Sequence, residues 1–361
     1  MVIIRHIIAL SLIALWLTAC VGSSPTEPSP TPVPLPATPP PSPTAALSLP
    51  EVDFSSLSGE IKIDGSSTVF PITERVALAF NELSPQVTIR LGVSGTGGGF
   101  SRFCAGETDI SNASRPIKQS EMETCTANGI TFVELPVAFD GLSVVVHPQN
   151  DWAQCLTVAE LKRMWSPEAE TVITRWNQIR ADWPDAPLHL YGAGIDSGTY
   201  DYFTSAIVGQ EGISRRDYTA SEDDYLLAQD VAGDRLGLGF FGYAYYAEYA
   251  DQLRAVAIDN GNGCVAPSVE TISNGQYQPL ARPIFIYVRA DRLARAEVRT
   301  FVDLYLQNGS LFATQALYVP LPSTAYELAL RRVERRRTGS IFSGGSQVGL
   351  SIEQLLQLED R

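Results

Sequence analysis

From residue 60 onward, apolar residues recur first every second position, then every third or fourth, and the two patterns keep trading places. "EIKIDGSS" predicts a strand entering a turn. "PITERVALAFNEL" predicts a helix with Pro71 in its first turn and Val76, Phe80 and Leu83 on one face. "QVTIRLGV" predicts a second strand and leads into "SGTGGGFSRFCAG", and "DISNASRPI" predicts a short strand entering a loop. "GLSVVVHP" and "LHLYGAG" predict strands, "TVAELKRMW" and "SGTYDYFTSAIVG" helices. "ARPIFIYVR" and "RAEVRTFVDLYLQNG" predict a last strand and helix. "LGLGFFGYAYYAEY" mixes glycine with aromatics and fits neither period; its rings are expected to support a core or hinge. Strands alternating with helices predict an α/β fold.

Three junctions share one design, in which a strand runs into Gly, Ser and Thr residues and then into a helix. They are Gly65-Ser66-Ser67-Thr68, Ser94-Gly95-Thr96-Gly97-Gly98-Gly99 and Asp196-Ser197-Gly198-Thr199, with a fourth polar loop at Ser111-Asn112-Ala113-Ser114-Arg115. Each places free N–H groups and hydroxyls at the positive end of a helix dipole, a favourable place for an anion. Together they predict a convergent oxyanion site. None is a nucleotide loop: Phe100-Ser101 stands where a Walker sequence needs Lys-Ser/Thr, and the dinucleotide glycine spacing is not met.

Composition narrows the ligand and the compartment. The 361 residues carry a formal net charge of −14, which argues against nucleic acid as a partner. Arg5 and His6 precede an apolar run, Ile7 to Leu17, too short for a comfortable membrane span. Leu17-Thr18-Ala19-Cys20 resembles the bacterial lipobox, which implies cleavage before Cys20 and lipid on that residue. Eleven prolines and one charge, Glu27, follow in residues 21–50, a tether without material for a core. An exported chain meets oxidising conditions, so the remaining cysteines are expected to pair. Cys104–Cys125 closes a short loop and leaves Cys155–Cys264, although free buried thiols remain an alternative. Neither His147 nor His189 lies in a hydrolase or metal motif, so no catalytic residue, metal or cofactor is expected. Trp152, Trp165, Trp176 and Trp183 are expected to pack one lobe, and the run Arg331, Arg332, Arg335, Arg336, Arg337 to form a solvated helix face.

From about residue 59 onward the chain resembles the Pst-type phosphate-binding lipoproteins of bacterial ABC uptake systems, within the type II periplasmic-binding-protein superfamily. The likeness runs through "IDGSSTVFPITE", "GVSGTGGGFSRFCAGETDISNASRPI", "DGLSVVV", "DSGTYDYFTSAI", "SEDDYLLAQDVAGDRLGLGFFGYAYY" and "ARPIFIYV". It implies a two-lobed α/β fold with the ligand in a cleft between the lobes. The expected division is a signal peptide at 1–19, lipidated cysteine and tether at 20–56, lobe 1 at 57–141 and 285–361, and lobe 2 at 142–284. Crossovers are expected near Phe139–Gly141 and Arg282–Phe285.

The resemblance also implies contacts to the anion. Thr68 and the Val69 amide come from the first loop, with Ser67 a weaker candidate. Thr96 and the Gly97 and Gly98 amides come from the second, and Ser197, Gly198 and Thr199 from the third. One branch of the family has aspartate at Ser114 and arginine at Ala193; here Arg115 is expected to supply the cation and Asp196 an acceptor, with Asp140 and Asp223 as other acceptors. An acceptor suits phosphate, which keeps a proton near neutral pH, and disfavours sulfate, which has none. The implied function is a monomeric, non-catalytic receptor that captures inorganic phosphate at the outer face of the bacterial cytoplasmic membrane. It would deliver the ion to an ABC permease and its ATPase. Sulfate or molybdate binding, or a surface sensor or adhesin, are the alternatives. Changing Cys20 to Ala is expected to move the protein from the membrane fraction to the soluble fraction, because proline-rich chain alone does not hold a bilayer; fractionation and immunoblotting read the result, and retention in the membrane contradicts the lipobox assignment.

Overall fold

A single 15-residue strand, Phe132–Val146, is buried along its whole length and changes partners part-way. It appears in a computed structural model that describes residues 47–195, 197–342 and 352. The signal peptide, Cys20, most of the tether and Asp196 lie outside the described residues.

The strands are β1 Gly59–Gly65, β2 Val87–Leu91, β3 Ile110–Ala113, β4 Phe132–Val146, β5 Cys155–Thr157, β6 His189–Ala193, β7 Thr219–Ser221, β8 Gly237–Gly242, β9 Arg254–Ala255, β10 Ala257–Asp259, β11 Cys264–Val265 and β12 Ala281–Arg289. The helices are α1 Phe70–Leu83, α2 Gly95–Cys104, α3 Gln119–Ala127, α4 Val158–Trp165, α5 Gly198–Phe203, α6 Asp224–Gly233, α7 Tyr243–Glu248, α8 Val269–Ser273, α9 Ala296–Gln307, α10 Gly309–Gln315 and α11 Ser323–Glu334.

The main sheet runs β2-β1-β3-β12-β4-β8-β6-β7, with β9 beside β4. At one end β1 lies parallel to β2 and β3, and at the other β6 lies parallel to β7 and β8. Antiparallel pairs join the ends: residues 132–141 of β4 pair with β12, and Leu142–Val146 with β8. The molecule is thus a two-lobed α/β fold, and β4 and β12 join the two parallel ends of the sheet. A small sheet, β11-β10-β5, adds to the β8 side. Disulfides join Cys104 to Cys125, tying α2 to α3, and Cys155 to Cys264, tying β5 to β11.

Apolar faces explain the layers. Helix α1 buries Ile72, Val76 and Phe80, and Phe80 meets Phe301 of α9 edge-on at 5.5 Å. Trp165 and Trp176 are fully buried on the other side, with Trp165 edge-on to Phe203 and Phe240.

Three expectations change. The glycine cluster is not a loop but the opening turns of α2. The tether ends before residue 56: the Ser48 N–H donates to Asn308 Oδ1 at 2.7 Å, and Phe54 packs on Phe80. The basic run is not all solvated, since Arg332 is buried, with the Glu134 carboxylate offsetting its charge.

Close approach explains one of the α2 glycines. A Cβ on Gly99 would lie 2.5 Å from Gly65 Cα and 2.8 Å from Ser111 Oγ, so helix and strand touch through backbone. At Gly97 a Cβ meets nothing within 4 Å. Gly99→Ala should therefore destabilise the fold by about 1–3 kcal/mol despite the better helix propensity of alanine, while Gly97→Ala should be neutral or stabilising by up to about 1 kcal/mol. Urea denaturation of both variants checks the contrast.

Candidate anion-binding cleft

β1 and β2 are neighbouring parallel strands, and each feeds a helix at its carboxyl end, where α/β sheets place ligands. Neither helix is capped by a side chain at its start: Val69 before α1 and Ser94 before α2 contribute no capping bond. At α1 the Phe70 N–H donates to the Ser66 carbonyl and the Ile72 and Thr73 N–H groups to the Val69 carbonyl, and Pro71 carries none, so it is the start of α2 that retains first-turn donors for a ligand. Val69 is buried, and Gly97 and Gly98 lie in the first turns of α2.

Side chains link the loops. Thr96 Oγ1 accepts from the Ser114 N–H at 3.1 Å and lies 3.0 Å from Ser114 Oγ. Ser197 caps α5, its Oγ accepting from the Thr199 N–H at 3.1 Å, which commits that donor internally. A Cβ on Gly198 would lie 2.7 Å from Thr68 Oγ1 and 3.5 Å from Thr68 N. The first and third loops therefore touch across the cleft where only glycine leaves room.

Beside this contact opens a cavity of about 1270 Å³. Ser67, Thr68, Thr96, Gly97, Ser114 and Arg115 line one wall, and Asp201, Tyr202, Glu211 and Arg282 line others. Val69, Gly98, Ser197, Gly198 and Thr199 adjoin these residues in sequence but do not line the cavity. Among the described residues, no group of three His, Cys, Asp or Glu side chains is placed to hold a metal ion.

The charged candidates occupy settings that the sequence does not disclose. Arg115 faces the cavity with its guanidinium already engaged: Nη1 and Nη2 donate to Glu121 at 2.9 and 2.8 Å, and the group lies 5.6 Å from the Phe100 ring centre. Its charge is matched before any anion arrives. Asp140 is buried and paired with Arg282 rather than facing the cavity, and burial pushes its carboxyl up while Arg282 opposes the shift. Asp223 caps α6, accepting from the Tyr225 and Leu226 N–H groups, and it does not line the cavity. Asp196, the expected proton acceptor, lies outside the described residues.

Arg282 and Tyr202 are cavity residues that the sequence reading missed. The available signal was a lone charge at the start of an apolar strand, "ARPIFIYV", matched by a lone aspartate in "AFDGLSVVV". Two further acids face the cavity: burial and the nearby Glu211 raise the Asp201 carboxyl, and Arg282 opposes the shift.

Comparisons with known proteins agree with this geometry. The PBP superfamily domain matches residues 50–308. Protein SphX of Synechocystis sp. is 50% identical over 304 residues, 84% of this chain and 90% of its own. The phosphate-binding protein PstS of Staphylococcus haemolyticus is 35% identical over 281 residues, 77% of this chain and 86% of its own. The crystal structure of a possible phosphate binding protein from Planctomyces limnophilus superposes with a TM-score of 0.74 at 43% identity, covering 78% of this chain and 100% of that one. The chain belongs to the PBP superfamily and, within it, to the family that includes PstS and SphX.

Near the crossover, burial raises the Asp224 carboxyl to about 6; the Gly242 N–H opposes this, while Asp223, Glu222 and Asp140 add to it. A carboxyl with a raised folded pKa favours the folded state when protonated, and its ionisation opposes folding as pH rises from about 4 through 6. Asp224→Asn should thus stabilise the protein by about 2–3 kcal/mol at pH 7.5 and by little at pH 4. Thermal melts across that range provide the check.

Proposed function

We propose that this protein is an extracytoplasmic receptor that closes two lobes on inorganic phosphate and hands the ion to an ABC permease with its ATPase. The observation that carries the reading is the contact of the Gly198 turn with Thr68 beside a cavity that Thr68 lines together with Thr96 and Gly97 of the uncapped start of α2. An oxyanion there replaces its water with N–H and O–H donors. The PstS relative is named for phosphate binding, which supports phosphate as the anion.

Thr68 and the Val69 N–H serve from the first loop, with Ser67 at its rim. Thr96 and the Gly97 and Gly98 N–H groups serve from the second, and Ser197, Gly198 and Thr199 from the third. Ser114 holds the Thr96 hydroxyl in place. Arg115, fixed by Glu121, lends field rather than a free charge, so neutral donors supply most of the affinity. Asp196 accepts the proton that phosphate retains. The partner change in β4 supports lobes of 57–141 with 285–361 and 142–284. Lipid on Cys20 holds the monomer at the outer face of the cytoplasmic membrane.

Calorimetry on the full-length protein with phosphate and with sulfate tests this. The parent protein should bind phosphate and reject sulfate, because an acceptor facing a proton-free oxygen gives large discrimination, on the order of 10⁴-fold. Asp196→Asn should narrow the ratio by weakening phosphate and strengthening sulfate. An unchanged ratio contradicts the role of Asp196, and absence of phosphate binding by the parent contradicts the function.

A further inference from the structure

Arg282 and Asp140 are direct register partners in the β4–β12 pair, one step before β4 leaves β12 for β8. Arg282 Nε and Nη2 both donate to Asp140 Oδ2, at 3.2 and 3.1 Å. The same guanidinium lies 3.7 Å from the centre of the Tyr202 ring. Tyr202 OH in turn donates to the Pro279 carbonyl at 2.7 Å, just before β12. Tyr202 stands about one helical turn along α5 from Gly198 and Thr199. The helix that carries the third loop is thereby fastened to the crossover strands at two points.

We propose that Arg282 is a positioning residue for ligand capture: it joins the Asp140 carboxylate on the crossover to the Tyr202 face of α5, so that the third loop moves with the hinge. The proposal rests on the phosphate reading above, and it identifies what sets the closing geometry of that site. Planarity is the chemical requirement. A guanidinium can lie flat on a ring while its edge donates two bonds to one carboxylate, whereas a lysine ammonium is a point charge without a fork. Tight placement is needed because the Gly198 turn already touches Thr68, with no slack for a rotated helix. An error near 1 Å in such a contact can cost about a hundredfold.

The variant Arg282→Gln with Asp140→Asn removes both charges together and avoids leaving a lone buried carboxylate. Stopped-flow kinetics on the full-length protein should show phosphate leaving about ten- to a hundredfold faster than from the parent, with association changed by less than about threefold. The ligand-free melting temperature should stay within a few degrees. Arg282→Lys should not rescue the dissociation rate, and Tyr202→Phe, which keeps the ring and loses the bond to Pro279, should fall between. Spin labels at Leu78→Cys and Ile195→Cys, both exposed positions, read the spread of lobe-to-loop distances without ligand. That spread should broaden in the double variant. An unchanged dissociation rate, full rescue by lysine, or an unchanged distance spread overturns the clamp. A parent protein that binds no phosphate defeats the function instead, and the distance measurement still decides the clamp.

Discussion

Backbone N–H groups at a helix start must find acceptors: at α1 the Ser66 and Val69 carbonyls serve, and in α2 no side chain supplies one. Much of the surrounding structure can be read as a consequence. Parallel pairing of β1 with β2 brings the two starts to the same edge of the sheet. Backbone contact between Gly99 and Gly65 seats α2 against β1, and the Cys104–Cys125 disulfide ties its far end to α3. Ser114 fixes the Thr96 hydroxyl between the loops. A chain of net charge −14 needs such a device, because its overall field repels anions and only local dipoles and hydroxyls can reverse it.

The second constraint is the crossover. One buried strand serves both sheet halves, so β4, with its partner β12, is the link between them. Charge is concentrated there. Asp140 and Arg282 face each other, with Asp224 and the Tyr318 phenol close by, and burial raises the pKa of both carboxyls and of that phenol. Groups held in this way are costly to desolvate singly and give a defined geometry when paired. In the proposed clamp, this arrangement links the charge pair between β4 and β12 to helix α5 through the Tyr202 ring.

The sequence disclosed the parts of this whose signals are local. Alternating periods in "EIKIDGSS" and "PITERVALAFNEL" announced β1 and α1, and the Gly/Ser/Thr junctions announced the helix starts. The short loop between Cys104 and Cys125 pointed to the disulfide that the structure contains. Signals that depend on register stayed hidden. Asp140 and Arg282 are 142 residues apart in sequence and meet because β4 and β12 pair antiparallel in one particular register. The ion pair of Arg115 with Glu121 likewise depends on how the loop turns into α3. "LGLGFFGYAYYAEY" defied a single period because it is two elements, β8 with buried Phe240 and Phe241, then α7 with half-buried tyrosines. Gly99 reads in the sequence as one more member of the anion-binding glycine run, and its packing role shows only in the contact with Gly65.

The central claim is a place: an oxyanion held where the first, second and third loops converge. A crystal structure of the protein grown with phosphate tests it most directly. The account predicts a tetrahedral anion within hydrogen-bonding distance of the Thr68 and Thr96 hydroxyls and the Gly198 N–H. An anion seated instead against Arg282 in the wider cavity, or no anion at any of the three loops, would contradict it.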